Sequence, residues 1–204
     1  MRPPADLNQF NGISCSIEVL SIEATLPSWW QIQLAGCRSA AISSSFIPPA
    51  GPASCADPWQ GAGMGGLAYN YPVTYFGWAN QGRIRVVAGV QPTAIVANQH
   101  VFLFSISFNR SSSTGIGSCS GCESAICLGL TGVLLTQPAG VGDVYVQAPE
   151  PFQNSDMATW QTGAVMRRSY EPHPGSEPFK IFECLSVTEV RRPTWGAIKR
   201  MYRR

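Results

Sequence analysis

The residues best suited to chemistry are the cysteines. Three of them, Cys119, Cys122 and Cys127, fall within residues 117–142, where a glycine-rich loop runs into an apolar segment at 128–136. Thiolates spaced Cys119-x2-Cys122-x4-Cys127, with Cys184 as a fourth, could hold zinc or an iron–sulfur cluster. A zinc ribbon, however, uses two CxxC pairs, and this chain has one. Seven cysteines in a weakly charged, Ser-, Gly- and Pro-rich chain point instead to disulfides made in an oxidising compartment. We therefore expect no metal and no other cofactor. Spacing leaves the connectivity open. The pairing we expect is Cys37–Cys55 across the long loop they flank, Cys122–Cys127 and Cys119–Cys184, with Cys15 left as a thiol among core side chains. The CxxC lies in a Ser/Gly loop and lacks the helix that a thioredoxin-type redox site opens.

Hydrolytic chemistry finds little support. The chain has two histidines, His100 and His173, no GxSxG elbow and no HExxH, and its twelve acidic residues are scattered. We expect no enzyme. Aromatic side chains offer a binding alternative: Trp29, Trp30, Trp59, Tyr69, Tyr71, Tyr75 and Trp78 cluster in the loop-rich first half. Exposed rings of this kind stack on sugar faces or anchor a partner. The competing reading, which we prefer, is that they plug the ends of the core beneath ordered loops.

A formal net charge of +2 and a charged fraction of 13% argue against nucleic acid as a partner. No apolar run approaches the roughly 20 residues of a membrane-spanning helix. Residues 1–4 are followed by no apolar stretch of signal-peptide type, so the chain is expected to start after a processing point or downstream of the true start.

The elements that position these residues read as strands. Ile13, Cys15, Ile17 and Val19 alternate with Ser14, Ser16 and Glu18, as on a half-buried strand. Short strands are expected at 31–34 and 41–46, and a long Pro/Gly loop at 47–66. Residues 69–78 read as aromatic and irregular. In 82–90, Ile84, Val86, Ala88 and Val90 face inward and Arg83 and Arg85 outward, and Gln91-Pro92-Thr93 is expected to end the strand. Residues 99–109 read as the strongest strand, 126–137 as a central one, and 144–147, 158–161 and 180–187 as shorter ones. Residues 167–178 read as a polar loop. Thr194 can cap a short basic helix carrying Trp195, Ile198, Met201 and Tyr202 on one face. The expected architecture is all-β: an antiparallel β-sandwich over 1–190 with long Pro/Gly-rich loops, followed by the helix at 191–204.

Several segments resemble a family of predicted secreted bacterial proteins of unknown function: Leu26-Pro27-Ser28-Trp29-Trp30 with Cys37-Arg38, Asp57-Pro58-Trp59-Gln60-Gly61, Gly117-Ser118-Cys119-Ser120-Gly121-Cys122, Ile126-Cys127-Leu128, 136–143, Ala158-Thr159-Trp160-Gln161, and Thr194-Trp195-Gly196-Ala197-Ile198-Lys199. They cover most of the chain. The resemblance implies a secreted, extracellular protein and adds no mechanism. In that family the region matching 1–12 follows a signal peptide and a short opening segment with its own cysteines. Their absence predicts a missing first strand and an exposed strand edge near the N-terminus. By architecture alone the strand pattern is similar to a cohesin-type sandwich. The function expected is a non-enzymatic structural or adhesive one, with self-association through strand edges; the alternative is a carbohydrate-binding module that takes a surface glycan on Trp29, Trp30, Trp59, Tyr69, Tyr71 and Trp78.

Overall fold

A computed structural model describes residues 1–49, 55–73, 78–146, 156–161, 164–171 and 179–186. The fold is all-β and antiparallel, as expected. Its strands are β1 (Leu7–Ser21), β2 (Ile42–Ser45), β3 (Met64–Asn70), β4 (Gln81–Ile95), β5 (Ser105–Phe108), β6 (Ile126–Thr136), β7 (Val144–Val146), β8 (Met157–Trp160), β9 (Ala164–Glu171) and β10 (Phe179–Ser186). The proposed helix at 191–204 lies outside the described residues.

The main sheet runs β3-β4-β1-β6-β7, and β8 pairs with β6 beyond the end of β7. Strand β1 sits in its middle, with Cys15 opposite Val86 of β4 on one side and Val133 of β6 on the other. From Gly12 on, β1 is therefore paired on both sides and is not the exposed edge expected near the N-terminus, while Leu7 and Phe10 pair with β4 alone. Both are buried and extend the strand beyond Ile13. Glycine 12 permits this: a Cβ there would lie 2.5 Å from the Ala88 carbonyl oxygen.

Strand β4 also runs through its predicted stop. Between the pairs Gly12–Gly89 and Phe10–Thr93, Asn11 alone faces Val90, Gln91 and Pro92. The extra residues form a bulge, and a proline in a bulge need not donate to the ladder. The 99–109 strand is shorter than predicted. Only Ser105–Phe108 pairs, with β2, while Val101 makes an isolated parallel bridge to Ala56. Residues 31–34, expected as a strand, follow a 3-10 turn at Ser28–Trp30 and are not one. Residues 167–171 of the expected loop at 167–178 instead belong to strand β9, which pairs along its whole length with β10, and 172–178 lie outside the described residues.

The core fills the inner face of the sheet. Ile13, Val19, Ile84, Val86, Val133 and Leu135 meet Trp29, Trp30 and Trp59 from the loops and the apolar side of the β2–β5 ribbon. A smaller cluster on the opposite face joins Leu20, Cys127 and Ala164 to Cys184, where the β9–β10 hairpin packs.

The disulfides are Cys37–Cys119 and Cys127–Cys184, with Cα separations of 5.9 and 5.6 Å. All three expected pairings are thus replaced, and Cys55 and Cys122 are free thiols. Cys37 follows the 3-10 turn, which hydrogen bonds to the cysteine loop (Trp29 N–H to the Ser120 carbonyl, 2.8 Å), and so it meets Cys119. The long loop that Cys55 was expected to tether is held by the Ala56–Val101 bridge and by buried Trp59.

Cys15 is a buried thiol, as read from the alternation. Burial pushes its pKa up to about 12, against a smaller lowering by a hydrogen bond from the Val86 backbone. Above the ordinary thiol pKa the unfolded chain loses this proton while the folded chain keeps it, so stability should fall as pH rises from about 9 towards 12. Chemical denaturation at several alkaline pH values should show that decline beginning about one unit later in Cys15→Ala, where the buried Tyr69 phenol, also pushed upward, is left to drive it.

Candidate functional site

The sequence nominated Trp29, Trp30, Trp59, Tyr69, Tyr71 and Trp78, and the structure separates them. Trp29, Trp30 and Trp59 are fully buried. The Pro27 turn drives both neighbouring indoles inward, where Trp29 stacks on Trp160 at 5.2 Å and Trp30 meets Phe108 edge-on at 5.3 Å. Asp57 accepts from the backbone N–H groups of Trp59 and Gly61, and this closed turn holds Trp59 beneath the loop. No exposed tryptophan platform results: of Trp29, Trp30, Trp59 and Trp78, only Trp78 is exposed, at 47%.

What the structure does bring together is Tyr69 and Tyr71, in an open groove of about 540 Å³ at the outer edge of β3. The Tyr69 hydroxyl donates to the Trp30 carbonyl (2.7 Å), and burial, reinforced by nearby Tyr71, holds its phenol protonated well above the ordinary range. Tyr71 donates to the Ala79 carbonyl (2.9 Å), which fixes the ring at the groove's side. The backbone of Trp78 bridges to Val73, which lines the groove, while Trp78 itself does not.

Two arginines complete the groove and were not nominated as site residues. Arg83 is held by Glu18 (Nε to Oε1, 2.7 Å), and Glu18 also accepts from Gln81. Arg85 lines the same groove, is exposed, and has no carboxylate partner among the described residues. With Arg83 neutralised by Glu18, the groove keeps one uncompensated positive charge. The outward alternation of Arg83 and Arg85 was legible; their meeting with Tyr71 required the pairing of β3 with β4, which brings Tyr69 opposite Ile84.

Among the described residues no acid–base constellation forms from the other candidates. The His100 Nε2 accepts from Arg2 (2.8 Å), and His173 lies outside the described residues. Asp6, Asp57 and Asp143 cap backbone N–H groups of Ala97, Trp59 and Gln137. Among the described residues no group of three or more His, Cys, Asp and Glu gathers as a metal site would require, and no helix is long and apolar enough to cross a membrane. Comparison of the chain with protein-family models, curated proteins and solved structures finds no match.

Proposed function

We propose that this chain is a non-enzymatic extracellular structural or adhesive protein that associates with further copies of itself through the edge strand β3. The observation that carries the reading is the character of that edge. Strand β3 ends the main sheet, contains neither a charged residue nor a proline, and exposes Met64, Gly65, Gly66, Ala68 and Asn70. Such an edge is what soluble monomers blunt with lysine, proline or a cover, because its unpaired backbone groups template another strand. Two disulfides agree with an oxidising compartment, and the resemblance to predicted secreted proteins points the same way.

Light scattering over a concentration series should show reversible association. Gly66→Lys should abolish it without unfolding the chain, since a Cβ at Gly66 meets nothing within 4 Å and a charge on the edge opposes pairing. A wild-type protein that stays monomeric throughout would overturn the proposal.

The groove favours a second reading, an acidic glycan stacked on Tyr71 with its carboxylate on Arg85. On a glycan array, Tyr71→Ala should weaken any binding by about tenfold or more, and Arg85→Gln should weaken uronate ligands selectively. Binding unchanged in both variants would sink this reading.

A further inference from the structure

We propose that Cys37, Cys119 and Cys122 form a thiol–disulfide exchange site, in which the Cys122 sulfur displaces Cys37 from Cys119. Cys122 is a half-buried free thiol three residues along the chain from a bonded cysteine, and both pack on the same core cluster. The turn that carries them is fixed at each side. Ser120 donates its N–H to Ser28 Oγ (2.9 Å), Trp160 Nε1 donates to the Cys122 carbonyl (2.8 Å), and Gly121, at φ 90°, reverses the chain between the two cysteines.

Arg38 supplies the charge that exchange needs. It adjoins Cys37, is 1% exposed, and has no carboxylate partner among the described residues. Its guanidinium lies 3.4 Å over the Trp29 ring and donates to the carbonyls of Trp29, Ser111 and Asn109. Burial pulls its pKa down, and an electrostatic interaction with Cys122 opposes this. A cation adjoining Cys37 favours that sulfur as the leaving thiolate.

The step balances without an oxidant. Cys122 gives its proton to solvent and its thiolate attacks Cys119 Sγ. The Cys37–Cys119 bond breaks with its electron pair going to Cys37, and a Cys119–Cys122 bond forms. Cys37 is exposed, so the released thiolate faces water, where it can take up a proton or meet a disulfide on another molecule. The same step would release the link that spans 82 residues between the Arg38 turn and the cysteine loop. The other bridge has no such neighbour: the cluster around Cys127–Cys184 holds no free cysteine.

The test is to hold the oxidised protein between pH 7 and 9, quench it in acid, alkylate it under denaturing conditions, and map peptides without reduction. A Cys119–Cys122 linked peptide with Cys37 alkylated should appear and grow with pH. Cys37 alkylation should fall by about tenfold or more in Cys122→Ser. In a second variant, Cys37→Ser, oxidised glutathione should close a Cys119–Cys122 bridge. Cys37 left unalkylated in the wild-type protein at every pH would overturn the proposal, as would a folded Cys37→Ser protein whose Cys119 and Cys122 never join. If Cys37→Ser does not fold, the wild-type and Cys122→Ser comparison decides alone.

Discussion

Replacing Trp59 with alanine should lower stability by about 3–5 kcal/mol, the range for deleting a large buried aromatic. Trp59 is 0% exposed and meets Phe10 and Phe46 edge-on at 5.4 and 5.6 Å. Its Nε1 donates to the Leu103 carbonyl (2.7 Å), so the truncation leaves both a cavity and an acceptor without its donor. The chain also folds closely over the indole: a Cβ at Gly63 would lie 2.9 Å from it. Urea unfolding with both disulfides intact should show the loss. Trp78→Ala, at a half-exposed ring, should cost about 1 kcal/mol or less. Trp30→Phe should cost less than Trp59→Phe, because Trp30 Nε1 has no hydrogen-bond partner to lose. Equal losses at Trp59 and Trp78 would contradict the placement of Trp59 in the core.

The contrast between those tryptophans shows what the sequence could disclose. That large rings under proline-rich loops serve as core follows from their size and need for burial, and Trp29, Trp30 and Trp59 behave accordingly. Strand β1 was legible because Ile13, Cys15, Ile17 and Val19 keep a strict period of two. Strand β3 was not, because Met64, Gly65, Gly66 and Ala68 carry no such alternation; it is a strand because β4 pairs with it. Pro92 read as a stop because a proline cannot donate to a ladder, but a bulge opposite Asn11 removes the need to donate. Disulfide wiring was the least legible feature. Cys37 meets Cys119 only because the 3-10 turn docks on the cysteine loop across 82 residues of sequence, a long-range fact that spacing does not encode. The groove was half legible: Tyr69 and Tyr71 were nominated from composition, while Arg85 joined them through strand pairing.

Arg38→Met should be the most damaging change to a charged residue, at about 3 kcal/mol or more. Removing a buried ion is often neutral when its partner goes with it, since the desolvation cost disappears as well. Here the partners are backbone carbonyls of Trp29, Ser111 and Asn109, which no side-chain substitution removes. The loss of their shared donor therefore outweighs the relief of desolvation, and the stacking on Trp29 is lost too. Arg38→Lys keeps the charge but not the flat fork, so it can serve fewer carbonyls at once and should lose roughly half as much. Unfolding monitored by tryptophan fluorescence should rank the wild type, Arg38→Lys and Arg38→Met in that order. With Cys37–Cys119 intact, the unfolded reference stays cross-linked in all three, so the differences report the native contacts of Arg38. A methionine variant as stable as the wild type would mean that the three carbonyls find other donors. In that case the dock between the 3-10 turn and the cysteine loop would not depend on Arg38.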